Sequence, residues 1–184
     1  MWKSWVCLGL TIGLRIGAGQ ATPIGPPIAP PDNISTGSTV PHVDDKKFLK
    51  EAALDGMTEI ELGKIAGEKA SNLQVKQFAQ RMIEEYTAAH GTILRIASDE
   101  MVAVPKTIDS KHKARVDRLA KLSGAEFDRA YVQDETKQRH QDLKEFTGAS
   151  QGGNDPNLKN FATSTLPAIE DHINALKILS KAVR

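Results

Sequence analysis

The chain has 184 residues, 24 of them basic and 23 acidic, for a formal net charge of +1. That balance excludes the strongly basic surface with which nucleic-acid binders displace counterions. A single cysteine excludes an internal disulfide framework and any cysteine-built zinc or iron–sulfur site.

Residues 1–21 read MWKSWVCLGLTIGLRIGAGQA. Lys3 supplies a positive start, an apolar run follows from Val6 to Ile16, and Gly19 and Ala21 place small residues at a cleavage site. This is the layout of a secretory signal peptide, and export to the periplasm or beyond is expected. The run is short for a membrane span and is interrupted by Arg15. An uncleaved N-terminal membrane anchor is the alternative. After cleavage no membrane span is expected. Residues 22–43 hold six of the nine prolines, Pro23, Pro26, Pro27, Pro30, Pro31 and Pro41. Proline fixes φ and removes a backbone donor, so a disordered leader is expected here.

From residue 44 to 184 acids and bases balance, and apolar residues recur at threes and fours without strand-like alternation. A first long helix is expected from Asp44-Asp45, with a seam through Leu49, Ala52, Ala53, Gly56, Ile60, Gly63, Gly67 and Ala70. Its glycines weaken the helix but permit close approach of a neighbour. Ser71-Asn72 breaks and recaps the chain. A second helix carries Val75, Phe78, Met82, Tyr86, Ala89, Ile93 and Ile96. A short helix is expected over about 110–122 and a third long one over about 125–147. Asp155 caps the last helix and Pro156 takes its first position. That helix has a seam of Leu158, Ala162, Thr165, Ile169, His172, Leu176, Leu179 and Val183. Pro167 lies inside it and should bend it near His172. Two tight hairpins joined by a long crossover describe an all-α, ferritin-like four-helix bundle whose crossover carries a short fifth helix.

The runs Phe48–Ala53, Gly56–Gly63, Ala70–Asn72, Val75–Met82 and Leu122–Tyr131, with Thr165-Leu166-Pro167 and His172, resemble the bacterial family called domain of unknown function 4142. The likeness spans essentially all of residues 44–183. It implies an exported ferritin-like bundle of the cell envelope and no established enzyme activity. The chain departs from the family pattern in two places. Glu85-Tyr86 stands where many members have Asp-His, and Arg139 stands where many have a histidine, with His140 one residue out of step.

A di-iron site in such a bundle needs a Glu-x-x-His pair on each of two helices. This chain has none: the residues three before His90, His140 and His172 are Thr87, Lys137 and Ile169. His112 follows Asp109, but in the crossover. No Gly-x-Ser-x-Gly elbow, phosphate loop or His-Glu-x-x-His is present. An enzyme is therefore not expected. A weaker set remains. Counted at about 1.5 Å rise per residue, Glu59, Glu85, Glu135 and His172 fall in one layer of the bundle. Two readings stay open for it. One is a metal site for a single divalent Fe, Mn or Zn. The other is a structural polar layer, with Tyr86, Tyr131, Asp134 and Gln138 as further members and no cofactor. Tyr131 is expected to hydrogen-bond within this layer. His42 and His112 are expected to be solvated and His90 to lie on the surface. The expected function is a non-catalytic envelope protein acting through protein contacts, with an envelope partner or a second copy. The alternative is a periplasmic metal-binding or iron-handling protein.

Overall fold

The computed structural model describes residues 42–184. The signal segment expected over 1–21 and nearly all of the leader expected over 22–43 lie outside the described residues. Among the described residues there are five helices and no strand: α1 (Asp45–Lys69), α2 (Leu73–Asp99), α3 (Ser110–Ala120), α4 (Gly124–Gly152) and α5 (Pro156–Ala182). None of them is long and apolar enough to cross a membrane.

Four of the five helix starts have a local cause. The first N–H groups of a helix lack partners, and a side-chain oxygen just before them fills the gap. Asp44 accepts from the Lys47 N–H at 3.1 Å, Asn72 from Gln74 at 2.8 Å, Asp109 from His112 at 2.9 Å and Asp155 from Leu158 at 2.7 Å. α4 differs. Ser123 makes no side-chain cap, and Gly124 holds φ at +61°, which only a residue without Cβ adopts freely. α4 also runs to Gly152, past the end expected near residue 147. Packing extends it: Ala149 is fully buried and Gly148 lies against Val43.

α2 closes differently. The Val102 N–H reaches back to the Ala97 carbonyl at 2.7 Å and the Met101 N–H to Ser98 at 3.1 Å. This is a Schellman cap, whose turning residue must take positive φ. Here that residue is Met101, at φ 53°.

α1 and α2 pack as one antiparallel hairpin and α4 and α5 as another, while α3 lies against α1 and α4. The two hairpins are clasped at opposite ends. At one end the Asp128 carboxylate of α4 accepts from the Ser71 N–H (3.1 Å), the Ser71 hydroxyl (2.5 Å) and the Asn72 N–H (2.9 Å), all in the α1–α2 turn. At the other the Asp45 carboxylate of α1 accepts from the Asn154 and Asp155 N–H groups of the α4–α5 turn, at 2.9 and 2.7 Å. The end of α1 therefore meets the start of α4, and the start of α1 meets the end of α4. The four long helices run up, down, down and up, with the crossover returning the chain along the bundle.

The interior has two apolar clusters. One gathers Leu62, Phe78, Met82, Phe127, Tyr131 and Leu176 near the Asp128 clasp. The other gathers Phe48, Leu49, Ile93, Ile96, Leu158 and Ala162 near the Asp45 clasp. The α1 glycines serve closeness in part. A Cβ on Gly63 would fall 2.6 Å from Ile83 Cγ1 and 3.0 Å from the Ala79 carbonyl oxygen, and one on Gly56 would meet the His90 ring, but Gly67 faces open space.

Candidate functional site

Charge, rather than apolar packing, fills the space between the two clusters. α4 supplies most of it, because Glu135, Arg139 and Asp142 recur at helical spacing on its inner face. Arg139 is fully buried. Its guanidinium lies 2.5 Å from Glu59 of α1, 2.9 Å from Glu135 and 2.8 Å from Asp142. The Tyr86 ring of α2 covers it, 4.8 Å from ring centre to the guanidinium carbon. Arg115, sent in by α3, pairs with Glu59 at 2.7 Å, Asp134 at 2.5 Å and Glu135 at 3.1 Å. Arg118 closes on Asp134 from outside. Tyr86 and Gln138 both donate to Asp142, at 3.3 and 2.9 Å.

The electrostatics push these groups in different directions. Burial pushes the Glu59 carboxyl up, but Arg139 and Arg115 outweigh it and hold Glu59 below the usual carboxylate range. Burial and the Glu59 charge push Glu135 well above that range. The two arginines thus favour ionisation at Glu59, while burial and the Glu59 charge favour the protonated form of Glu135. Burial opposes charge on Arg139, and the carboxylates of Glu59 and Asp142 prevail, so the guanidinium stays charged. Asp142 is raised by its own burial in spite of Arg139.

Glu85 and His172 lie apart from this belt. His172 Nε2 is 2.7 Å from Glu85, whose other oxygen takes the Arg81 guanidinium at 2.5 Å. Burial, then the Arg139 charge, lowers the His172 pKa. The four residues of the expected metal set therefore fall into two places. Glu59 and Glu135 are bound up with two arginines, and Glu85 and His172 make a separate pair. Among the described residues no group of three or more His, Cys, Asp or Glu side chains is arranged to hold a metal ion.

Other expectations need correction. His112 is buried rather than solvated, held between Asp109 at 2.7 Å and Asp55 at 3.1 Å. His90 is half-buried rather than superficial, because its ring packs beside Gly56. Tyr131 is buried between Phe78 and Phe127, and its hydroxyl has no hydrogen-bond partner, so it does not join the polar layer. His42 is exposed. Asp134, Gln138 and Tyr86 do belong to the belt.

Beside the belt the bundle opens. α2 and α5 touch little, and a cleft of ≈ 620 Å³ lies between them. Phe48, Ile93, Phe146, Phe161 and Ile169 form its apolar wall, and Ser164, Thr165 and Ala168, on either side of Pro167, also line it. Its polar lining includes Asp55, Glu85, Tyr86, Asp142, Glu145 and His172, together with Arg95, Asn157 and Asn160.

Residues 31–179 match a family model described as domain of unknown function, DUF4142. The chain belongs to the DUF4142 family. No curated protein and no solved structure matches it. In this DUF4142 chain the Tyr86 ring and the Arg139 guanidinium stack on one another. Sequence reasoning missed Arg115, Arg139, Asp55 and Asp142 as members of the site. For Arg139 a signal existed: it stands four residues after Glu135 and three before Asp142, the spacing of an ion-paired helical stripe. For Arg115 none existed, since nothing local says where a crossover helix docks.

Proposed function

We propose that this DUF4142 protein is an exported, ferritin-like helical bundle of the bacterial cell envelope that is non-catalytic and works through contacts with partner proteins. The carrying observation is the ion-paired belt. The carboxylates that a mid-bundle metal centre would require, Glu59 and Glu135, are engaged by Arg139 and Arg115. Two guanidiniums at that point supply the positive charge that a divalent ion would otherwise bring. The up, down, down, up connectivity supports the ferritin-like reading, and the apolar segment with its small-residue cleavage site supports export. Metal handling is the competing reading, and it would require both arginines to leave the belt.

Elemental mass spectrometry on the full chain, expressed with its own N-terminus and purified without a histidine tag or chelator, tests the proposal. No stoichiometric Fe, Mn or Zn is expected, before or after incubation with each ion. About one metal per chain, lost in both Glu59→Ala and His172→Ala, would overturn it in favour of the metal reading. Fractionation of the same cells is expected to place the protein in the periplasm or medium.

A further inference from the structure

The near-neutral total charge is not spread evenly along the bundle. The Asp128 clasp marks the end at which α1 finishes, α2 and α4 start and α5 finishes, and α3 runs out there into the start of α4. Lys69, Lys76, Lys121, Arg129, Lys177 and Lys181 lie within the helical turns nearest that end, all exposed except the half-buried Lys76. None of them makes an ion pair among the described residues. Of the acids in the same turns, Asp128 is buried in the clasp and Asp117 is taken by Lys113, which leaves Glu68 and Glu126 exposed. The other end is mixed. Around the start of α1 alone, Asp44, Asp45 and Glu51 stand against Lys46, Lys47 and Lys50.

Helix stability accounts for only part of this basic pole. A cation near a helix C-terminus is favourable, which suits Lys69, Lys121, Lys177 and Lys181. Lys76 and Arg129 lie near the N-termini of α2 and α4, where a cation gains nothing from the helix. A second observation is independent of charge. Leu73, the first residue of α2, is 68% exposed, and Ile178, near the end of α5, is 65% exposed. Both therefore stand out of neighbouring helices at the basic pole. The other end exposes Met101, but directly after Asp99 and Glu100, which an anionic surface repels.

We propose that the basic pole is a docking surface for an anionic lipid bilayer. Its lysines and Arg129 meet the headgroup phosphates, with their methylene stems lying along the interface, and Leu73 and Ile178 enter the headgroup layer. The bundle would then stand end-on to the bilayer. Neither the belt nor the α2–α5 cleft takes part.

Cosedimentation of the full chain, expressed with its own N-terminus, with large vesicles tests this. Vesicles of phosphatidylglycerol and phosphatidylethanolamine in equal parts are expected to bind it at least about tenfold more tightly than phosphatidylcholine vesicles. Raising the salt from about 0.05 to about 0.5 M should release it. Lys121→Glu, Arg129→Glu and Lys181→Glu together should weaken binding to the anionic vesicles at least about tenfold. Lys47→Glu, Lys50→Glu and Lys159→Glu together make the same change of net charge at the other end, and should weaken it by at most about threefold. Leu73→Ser with Ile178→Ser should weaken it several-fold and leave the salt dependence as it was. All of these side chains but that of the half-buried Lys159 are exposed, and helical circular dichroism should be unchanged throughout. Where residues 1–21 are retained, they add the same apolar affinity to every variant, so the comparison of the two ends is unaffected. Equal weakening by the two charge-reversal sets, or by neither, would overturn the proposal, and so would equal binding to anionic and phosphatidylcholine vesicles. A DNA duplex bound as tightly as the anionic vesicles, without regard to Leu73→Ser and Ile178→Ser, would overturn it in favour of a nucleic-acid surface.

Discussion

Arg139 brings a full charge into an interior with no water contact, and three carboxylates answer it. Removing one member of such a network strands the others, whereas removing the whole network exchanges it for packing. Arg139→Leu is expected to lower stability by about 3–5 kcal/mol in urea denaturation. Arg139→Leu combined with Glu135→Leu and Asp142→Leu is expected to recover most of that loss, and a further loss instead would mean that the belt contributes net stability. Asp55 gives a pH test. Burial, then the Asp142 carboxylate, raises its pKa from 3.8 to about 6. Between those values the native state binds more protons than the unfolded chain, so stability attributable to this group falls as pH rises through the window. Above about 6 the charge penalty is complete. Asp55→Asn still accepts from His112 and removes that penalty. It should stabilise by about 1–2 kcal/mol at pH 7.5 and hardly at pH 4. Equal urea-midpoint shifts at both pH values would refute the assignment. The membership of the belt was partly legible in the sequence, its pairing was not. Glu59, Glu135, Asp134 and Gln138 announce themselves as polar residues where a core stripe should run. That Glu59 turns to arginines, while Glu85 turns away to His172, depends on which guanidiniums arrive, and one of them comes from the crossover.

Single elements show where local signals suffice. Asp44, Asn72 and the Asp155-Pro156 pair mark three helix starts because each acts on backbone within three residues. The far end of α4 was not legible, since burial of Ala149 against other helices sets it rather than any local stop. The end of α2 carries a residue at odds with its conformation. Met101 sits in the left-handed region and is 94% exposed. Glycine adopts that conformation without a Cβ clash, and no packing is lost by removing this side chain. Met101→Gly is expected to stabilise the bundle by about 0.5–1 kcal/mol, read as a rise in thermal midpoint. A decrease would mean that the Met101 side chain makes a contact worth more than the strain.

For the bundle as a whole, the two clasps matter most. Asp128 and Asp45 each hold the turn of the other hairpin, at opposite ends. Both read locally as ordinary acids near a helix start, so their long-range role leaves no mark in the sequence. Asp128 is buried and its replacement strands two N–H groups and a hydroxyl, so Asp128→Ala should cost about 2–3 kcal/mol. Asp45→Ala is more exposed and should cost about 1 kcal/mol. Sites this far apart share no partners, and the double variant should sum the two within about 0.5 kcal/mol. A clear excess over the sum would mean that the ends of the bundle communicate. The clasps also bear on how the chain can be divided. A cut at Pro105–Lys106, in the loop before α3, leaves one piece with Glu59 and Asp45 and another with Arg115, Arg139 and Asp128. Each piece then carries the carboxylate that the other's turn requires, and each supplies residues to both apolar clusters. Mixed together, the two pieces should reconstitute the bundle as a heterodimer whose melting temperature climbs with concentration.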